Sequence, residues 1–255
     1  MGVDPLLFSP NDNLVMACHI TGVHDVNRNT TLANDNYQLV KDWADSISAA
    51  NLKGIIFHNN FSEETCNLFK NESISFIKIV YDPQFNPNVF RYFVYLNFLK
   101  HHFQHINGIF ITDITDVVLV KNPFTDPLFI KNTSSLFCGD EPKLLNNEWM
   151  LAHAEHLRNN IADYAAYESN FGDQTLLNCG IIGGHATLFF DFLQQLCAIH
   201  QNANRENKTA YTGDMGAFNY LARTKFNAQL IHGSPVNTVF KQYENERNSC
   251  WFRHK

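Results

Sequence analysis

Gly108-Ile109-Phe110-Ile111-Thr112-Asp113-Ile114-Thr115-Asp116-Val117-Val118-Leu119-Val120-Lys121-Asn122-Pro123-Phe124 carries the reading from which the rest of the chain follows. The run from Ile109 to Thr112 has the length and β-branched content of a buried strand, and Asn122-Pro123 stops a second apolar run, Val117 to Val120. Between the two runs stand Asp113 and Asp116. Carboxylates at the C-terminal edge of such a strand face the crevice where α/β sheets bind ligands. A strictly extended chain would send these two residues to opposite faces, because strand side chains alternate, so a bend at Ile114-Thr115 is needed for both to reach one ion. Hard cations such as Mg²⁺ or Mn²⁺ take oxygen ligands and leave positions open for phosphate oxygens. Two aspartates capping a turn is the other reading of the same spacing.

Toward the N-terminus, strands and helices alternate. Leu14 to Ile20 reads as a first buried strand that runs into a polar loop, Thr21 to Asn36, with His24, Asp25 and Arg28 where α/β sheets commonly bind ligands. Tyr37, Val40, Trp43, Ala44 and Ile47 keep the spacing of one helix face. Gly54 to His58 is the next strand, Phe61 to Lys70 a helix with Glu63 and Glu64 in its first turn, and Ser75 to Val80 a third strand. Asn86-Pro87 then opens a helix, with an N-cap and a first-position proline, whose buried stripe is Val89, Tyr92, Phe93, Leu96, Leu99 and Phe103. Arg91 falls off that stripe, which predicts a solvated residue, or one reaching a phosphate or a base, that can be replaced with little loss of stability. The alternation predicts a mostly parallel sheet covered on both faces.

The second half is less regular. Leu136 to Gly139 looks like a strand, and Lys143 to Phe171, with Trp149, His153 and His156, has no clear period and reads as solvated helix. In Leu176-Leu-Asn-Cys-Gly-Ile-Ile-Gly-Gly-His185, the glycines Gly180, Gly183 and Gly184 clear space for a close approach, and Asn178 adds an amide that both donates and accepts. One tight turn explains one glycine; three point to a binding site. Phe189, Phe192, Leu193, Leu196 and Ile199 mark an amphipathic helix, and Asp214 is the expected N-cap of another. His232 and His254 each end a short apolar run, and either could complete an Asp/Asp/His site.

Composition narrows the classes. The 255 residues are 45% hydrophobic and 17% charged, with a formal net charge of −6 and no basic block of the kind that neutralises a nucleic-acid backbone. Met1 to Leu7 lacks a basic stretch followed by an apolar one, and no run approaches the roughly 18 residues of a membrane span, so the expectation is a soluble cytoplasmic protein without a membrane span or a nucleic-acid partner. Six cysteines without a Cys-x-x-Cys pair predict buried free thiols rather than a disulfide framework. No repeat or composition break marks a linker, so one domain over 1–255 is expected.

Taken together, Arg91, Thr112-Asp113-Ile-Thr-Asp116-Val with Asn122-Pro123-Phe124, Leu177-Asn178-Cys179-Gly180 with Gly183-Gly184, Asp214-Met215 with Asn219, and the closing His254-Lys255 resemble nucleotide-sugar-dependent glycosyltransferases of the GT-A fold. The resemblance covers most of the chain. It implies an α/β domain with a mostly parallel central sheet flanked by helices, a nucleotide-binding half of about residues 1–125 and a less regular acceptor-binding half of about residues 126–255. It implies a hexosyl- or deoxyhexosyltransferase whose donor diphosphate is bridged to Mn²⁺ or Mg²⁺, and whose acceptor is a glycan or another hydroxyl compound. The residues implied at the donor are Ile20, Thr21, Arg28, Arg91, Asp113, Asn178, Gly180 and Lys255; those at the metal are Asp116, Asp113 and His254. The family motif is Asp-x-Asp, whereas here two residues separate the carboxylates; alignment on Val117 to Phe124 makes Asp116 the equivalent of the last Asp, and leaves Asp113 to bind the ion through water or to hold the donor ribose instead.

Asp214 is the implied catalytic residue, a general base if transfer inverts or a grip on the donor sugar if it retains. A sugar-1-phosphate nucleotidylyltransferase would share the sheet and the metal but carries a Gly-rich basic loop after the first strand, where this chain has Thr21-Gly-Val-His-Asp-Val-Asn-Arg28 with one glycine. A non-catalytic carbohydrate-binding protein would need no metal.

Overall fold

The computed structural model describes residues 11–25, 29–204, 213–242 and 249–255. Arg28, expected at the donor, and the opening Met1 to Leu7 lie outside them. Strand β1 (Asp12–His19) is followed by a loop with the two-residue strands β2 (His24–Asp25) and β3 (Thr30–Thr31), then α1 (Lys41–Ala49), β4 (Lys53–His58), α2 (Glu63–Phe69), β5 (Ile74–Lys78), α3 (Pro87–His102), β6 (Ile106–Thr112) and β7 (Val117–Leu119). The second half has α4 (Pro127–Lys131), β8 (Leu136–Leu144), α5 (Glu148–His153), α6 (Glu155–Asn160), α7 (Tyr164–Phe171), β9 (Thr175–His185), α8 (Ala186–Ala203), α9 (Asp214–Lys225), β10 (Leu230–His232) and β11 (Phe252–His254).

Seven strands form the central sheet in the order β10-β8-β9-β6-β1-β4-β5. Strands β5, β4, β1 and β6 are mutually parallel, β10 is parallel to β8, and β9 runs antiparallel to both its neighbours. The architecture is thus α/β with a largely parallel sheet flanked by helices. β1 shows why its sequence is a continuous apolar run: Leu14 and Met16 enter the core on one face, while Val15 and Ala17 enter the core on the other. The first core is closed by α3, α8 and α9, the second by α1, α4 and the Trp251–Phe252 segment. Among the described residues no helix is long and apolar enough to cross a membrane, and all six cysteines are free.

Local signals account for the element ends in the first half. Ser62 accepts from Thr65 N at the start of α2, and Asn86 accepts from Asn88 N at the start of α3, where Pro87 takes a position that needs no N–H donor. Two readings of the second half are corrected. The segment 143–171 is not a solvated helix but the end of β8 and three short helices, α5 to α7, which bury Met150, Leu157, Tyr164 and Tyr167; the breaks between them reset the helical phase, so no single period survives in the sequence.

The glycine run is no turn either; it is part of the eleven-residue strand β9. A Cβ on Gly183 would stand 2.3 Å from Phe110 Cδ1 and 2.5 Å from the Ile109 carbonyl, and one on Gly184 would stand 2.9 Å from the Ser135 carbonyl. Gly183 lets the sheet close over Phe110 and Gly184 lets it close on the Ser135 carbonyl, so packing accounts for both glycines. Gly183→Ala is therefore expected to destabilise the protein by about 1–3 kcal/mol through overpacking, read from chemical denaturation; a change within experimental error would show that Phe110 can move aside.

Candidate metal centre and cleft

Three separate chain segments converge at the C-terminal end of β6. The strand end is clamped by Trp43 Nε1, which donates to Thr112 Oγ1 (2.7 Å), and by Asp113 N, which donates to the Gly180 carbonyl (2.7 Å). The chain then bends: Ile114 sinks into the apolar core, Thr115 faces the cleft, and Asp116 leads into β7. β11 pairs antiparallel with β7, His254 opposite Val117, and Lys255 N donates to the Asp116 carbonyl (2.8 Å). One ligand atom from each of Asp113, Asp116 and His254 lies within 4.8 Å of the others.

The surroundings suit a cation. A Cβ on Gly180 would fall 2.5 Å from His254 Cε1 and 2.8 Å from Asp113 Oδ2, so this glycine, unlike Gly183 and Gly184, clears the site itself. Burial pushes the His254 imidazole below its ordinary 6.5, against the opposing charges of Asp113 and Glu141, which keeps it in the neutral, ligating form. Its Nδ1 is buried and has no hydrogen-bond partner, a costly arrangement unless something else satisfies it. Two carboxylates and one imidazole make a donor set able to chelate a divalent cation.

Arg91 corrects the expectation of a solvated residue. It is only 9% exposed, because its position near the start of α3 turns the side chain into the cleft, among Asp113, the Cys179 carbonyl and Asp214, while the solvated flank of the helix lies further on at Asn97, Lys100 and His101. Its Nη1 pairs with Asp113 Oδ1, its Nη2 stands 4.0 Å from Asp214 Oδ2, and its Nε donates to the Asn88 carbonyl (2.9 Å).

Asp214 does not cap α9; Gly213 occupies that place, and the Asp214 carboxylate turns into the cleft. His153 Nε2 lies 3.5 Å from its Oδ1, and the Cys179 thiol donates to Oδ2 (3.6 Å). Burial alone would raise the Asp214 pKa, but His153 and then Arg91 outweigh it and hold the carboxyl below its ordinary 3.8. α9 is itself locked to β9 by Asn219, whose Oδ1 accepts from Leu177 N (3.0 Å) and whose Nδ2 donates to the Leu177 carbonyl (2.9 Å).

These groups line a cleft of about 480 Å³. Ile20, Val23 and Leu32 line it from the first half of the chain, and Glu141, Lys143, Trp149, Met215, Phe240 and Lys241 from the second. Asn178 spans the floor, accepting from Gly180 N (2.7 Å) and donating to Glu141 Oε1 (2.8 Å). Thr21 is held back from the cleft by Asn59 and Asn60, which donate to its carbonyl. The Lys255 ammonium points away to Asp42 (3.1 Å), so it does not supply the expected cation in this arrangement. His232 is also apart from the triad, its Nδ1 2.9 Å from Asp140 Oδ2.

Trp149 and His153 went unassigned because they lie where the apolar period is lost, and Glu141 because it falls just past the strand read as ending at Gly139. No protein-family model matches the sequence, and no curated protein matches it. The α/β fold and the Asp/Asp/His cluster are consistent with a metal- or nucleotide-utilising enzyme in the broad sense.

Two outcomes are expected. Gly180→Ala and His254→Ala each abolish Mn²⁺ binding in a calorimetric titration while leaving the fold intact; wild-type affinity is expected to fall as the pH is lowered, because protonation of His254 competes with the metal, and burial moves that fall to lower pH than for an ordinary imidazole. Arg91→Met leaves the two carboxylates without their shared cation and lowers stability by about 3 kcal/mol, so an unchanged melting temperature would show Arg91 to be dispensable to the fold.

Proposed function

We propose that the protein transfers a hexosyl or deoxyhexosyl group from a nucleoside-diphosphate donor to a hydroxyl of a glycan, with Mn²⁺ or Mg²⁺ held by Asp116, His254 and Asp113. The observation that carries the reading is the Asp113/Asp116/His254 cluster at the C-terminal end of a parallel strand, with a buried Arg91 beside it and the ionised Asp214 in the same cleft. A bound divalent ion would neutralise charge developing on the departing diphosphate. The remaining work falls to the chain. Arg91 adds a fixed positive charge next to Asp113 and Asp214 that offsets their repulsion of an incoming diphosphate. Ile20, Val23 and Leu32 offer an apolar wall for the base and ribose, and Asn178 and Gly180 set the floor beneath the phosphates.

The depressed pKa of Asp214 bears on its role. A general base works best with a pKa near the operating pH, and a carboxylate held below 3.8 is a weak one. Asp214 therefore grips a hydroxyl of the donor sugar and its fixed negative charge favours the oxocarbenium-like state at the anomeric carbon. His153 holds it in place.

A screen of nucleotide sugars for metal-dependent hydrolysis tests the reaction and names the donor together. Uridine or guanosine diphosphate is expected to bind with Mn²⁺ and not in EDTA, because the acidic edge repels bare phosphates; equal affinity in the two conditions would exclude a metal-bridged diphosphate. Asp214→Asn is expected to keep nucleotide affinity within a few-fold while lowering the hydrolysis rate by roughly 10²-fold or more.

A further inference from the structure

Among the described residues with large exposed apolar side chains, Leu68, Val80, Val120, Ile130, Leu144, Trp149 and Leu151, one is aromatic and it lines the cleft. Trp149 is 48% exposed, whereas Trp43 and Trp251 are 1% and 0% exposed. Its exposure is built in. Asn147 caps α5 by accepting from Met150 N (3.1 Å), Met150 is buried, and the next residue back is thereby turned outward. The indole is also held in plane: it stacks on the His153 ring one helical turn later, with centroids 4.8 Å apart and planes 23° from parallel. His153 in turn lies 3.5 Å from Asp214. An aromatic surface lining the cleft is thus linked through one imidazole to the Asp214 carboxylate in the same cleft.

We infer that Trp149 is the platform for the acceptor, and that the acceptor is a pyranosyl oligosaccharide. A pyranose ring presents a flat patch of C–H groups on one face and hydroxyls around its rim. The electron-rich face of an indole complements the former, while polar groups at the cleft edge take the latter. Lys143 and Glu141, which line the same cleft as Trp149, supply such polar groups, their charged ends 3.9 Å apart. A simple hydroxyl compound or an apolar alcohol would use one half of this arrangement and waste the other. The inference rests on the glycosyl-transfer reading for the word acceptor, but the sugar platform itself can be tested alone.

Because the other two tryptophans are buried, acrylamide quenching of intrinsic fluorescence reports on Trp149. Cellobiose, lactose, mannobiose and N,N′-diacetylchitobiose are titrated into the full chain, with and without uridine or guanosine diphosphate plus Mn²⁺, and glucitol serves as an open-chain polyol lacking a ring face. Saturable protection from acrylamide by at least one disaccharide, and none by glucitol, is expected. Calorimetry with that disaccharide should show binding ~5–10-fold weaker for Trp149→Ala and less affected for Trp149→Phe, which keeps a ring. Protection by no disaccharide, equal protection by glucitol, or undiminished binding by Trp149→Ala overturns the platform. If the alanine variant fails to fold, the wild-type quenching series and the phenylalanine variant still decide. Disaccharide protection without any nucleotide binding would uphold the platform and sink glycosyl transfer; nucleotide binding without disaccharide protection would do the reverse.

Discussion

Asp113 and Asp214 converge on one guanidinium, and the site depends on that charge arrangement. Asp113 ends a strand, Asp214 begins a helix from the other half of the chain, and Arg91 stands between them on a third element. Bringing two carboxylates into a partly dry cleft is unfavourable unless a cation offsets their repulsion and lost hydration. Arg91 supplies it within the protein, always charged and able to reach both acids at once. The same placement leaves Asp113 Oδ2 facing His254, 3.9 Å from its Nε2, so one carboxylate is shared between a protein cation and the candidate metal position.

The second dependence is topological. His254 is distant in sequence from both aspartates, and it arrives only because β11 zips onto β7. That short ladder is held by the segment before it: Trp251 is fully buried against Phe110 and Phe137, donates its indole N–H to Asp126 (3.1 Å), and receives Val120 N on its carbonyl (2.8 Å). A core tryptophan therefore fixes the register that aims the histidine. Closing so long a loop costs only slowly growing chain entropy, which makes a ligand so distant in sequence physically reasonable.

Much of the first half was legible because its physics is local. Leu14 to Ile20 announced a buried strand, Asn86-Pro87 a helix start, and Asn122-Pro123 a stop; each signal acts within a few residues of itself. What failed was non-local. Arg91 lies off an apolar stripe and is buried all the same, since burial there is decided by Asp113, Cys179 and Asp214 from distant segments, none of which leaves a mark on the local period. Gly183 and Gly184 have the composition of a ligand loop, yet their cause is the Phe110 ring and the Ser135 carbonyl on neighbouring strands. Gly180, a few residues earlier in the same run, does face the site, and nothing in the sequence separates it from the other two. His153 became meaningful only when α5 was laid against α9.

The wider separation of the two carboxylates, two residues where the resembling family has one, has a physical resolution in Ile114. With Asp113 N tied to Gly180 and Asp116 O tied to Lys255, both ends of the bend are fixed by backbone hydrogen bonds. The two residues between them divide the labour of turning. Ile114 is buried in the cluster that includes Val117, Phe124 and Trp251, and Thr115 is left on the cleft side. An apolar anchor of this kind reverses the alternation that would otherwise separate the two side chains, because the chain leaves the extended conformation at the point where burial holds it. A polar residue in place of Ile114 would weaken the anchor and let the bend relax toward the strand geometry in which Asp113 and Asp116 diverge. The extra residue is thus part of the means by which both acids reach His254, and the spacing that looked like a departure in the sequence is compatible with one shared ion in the fold.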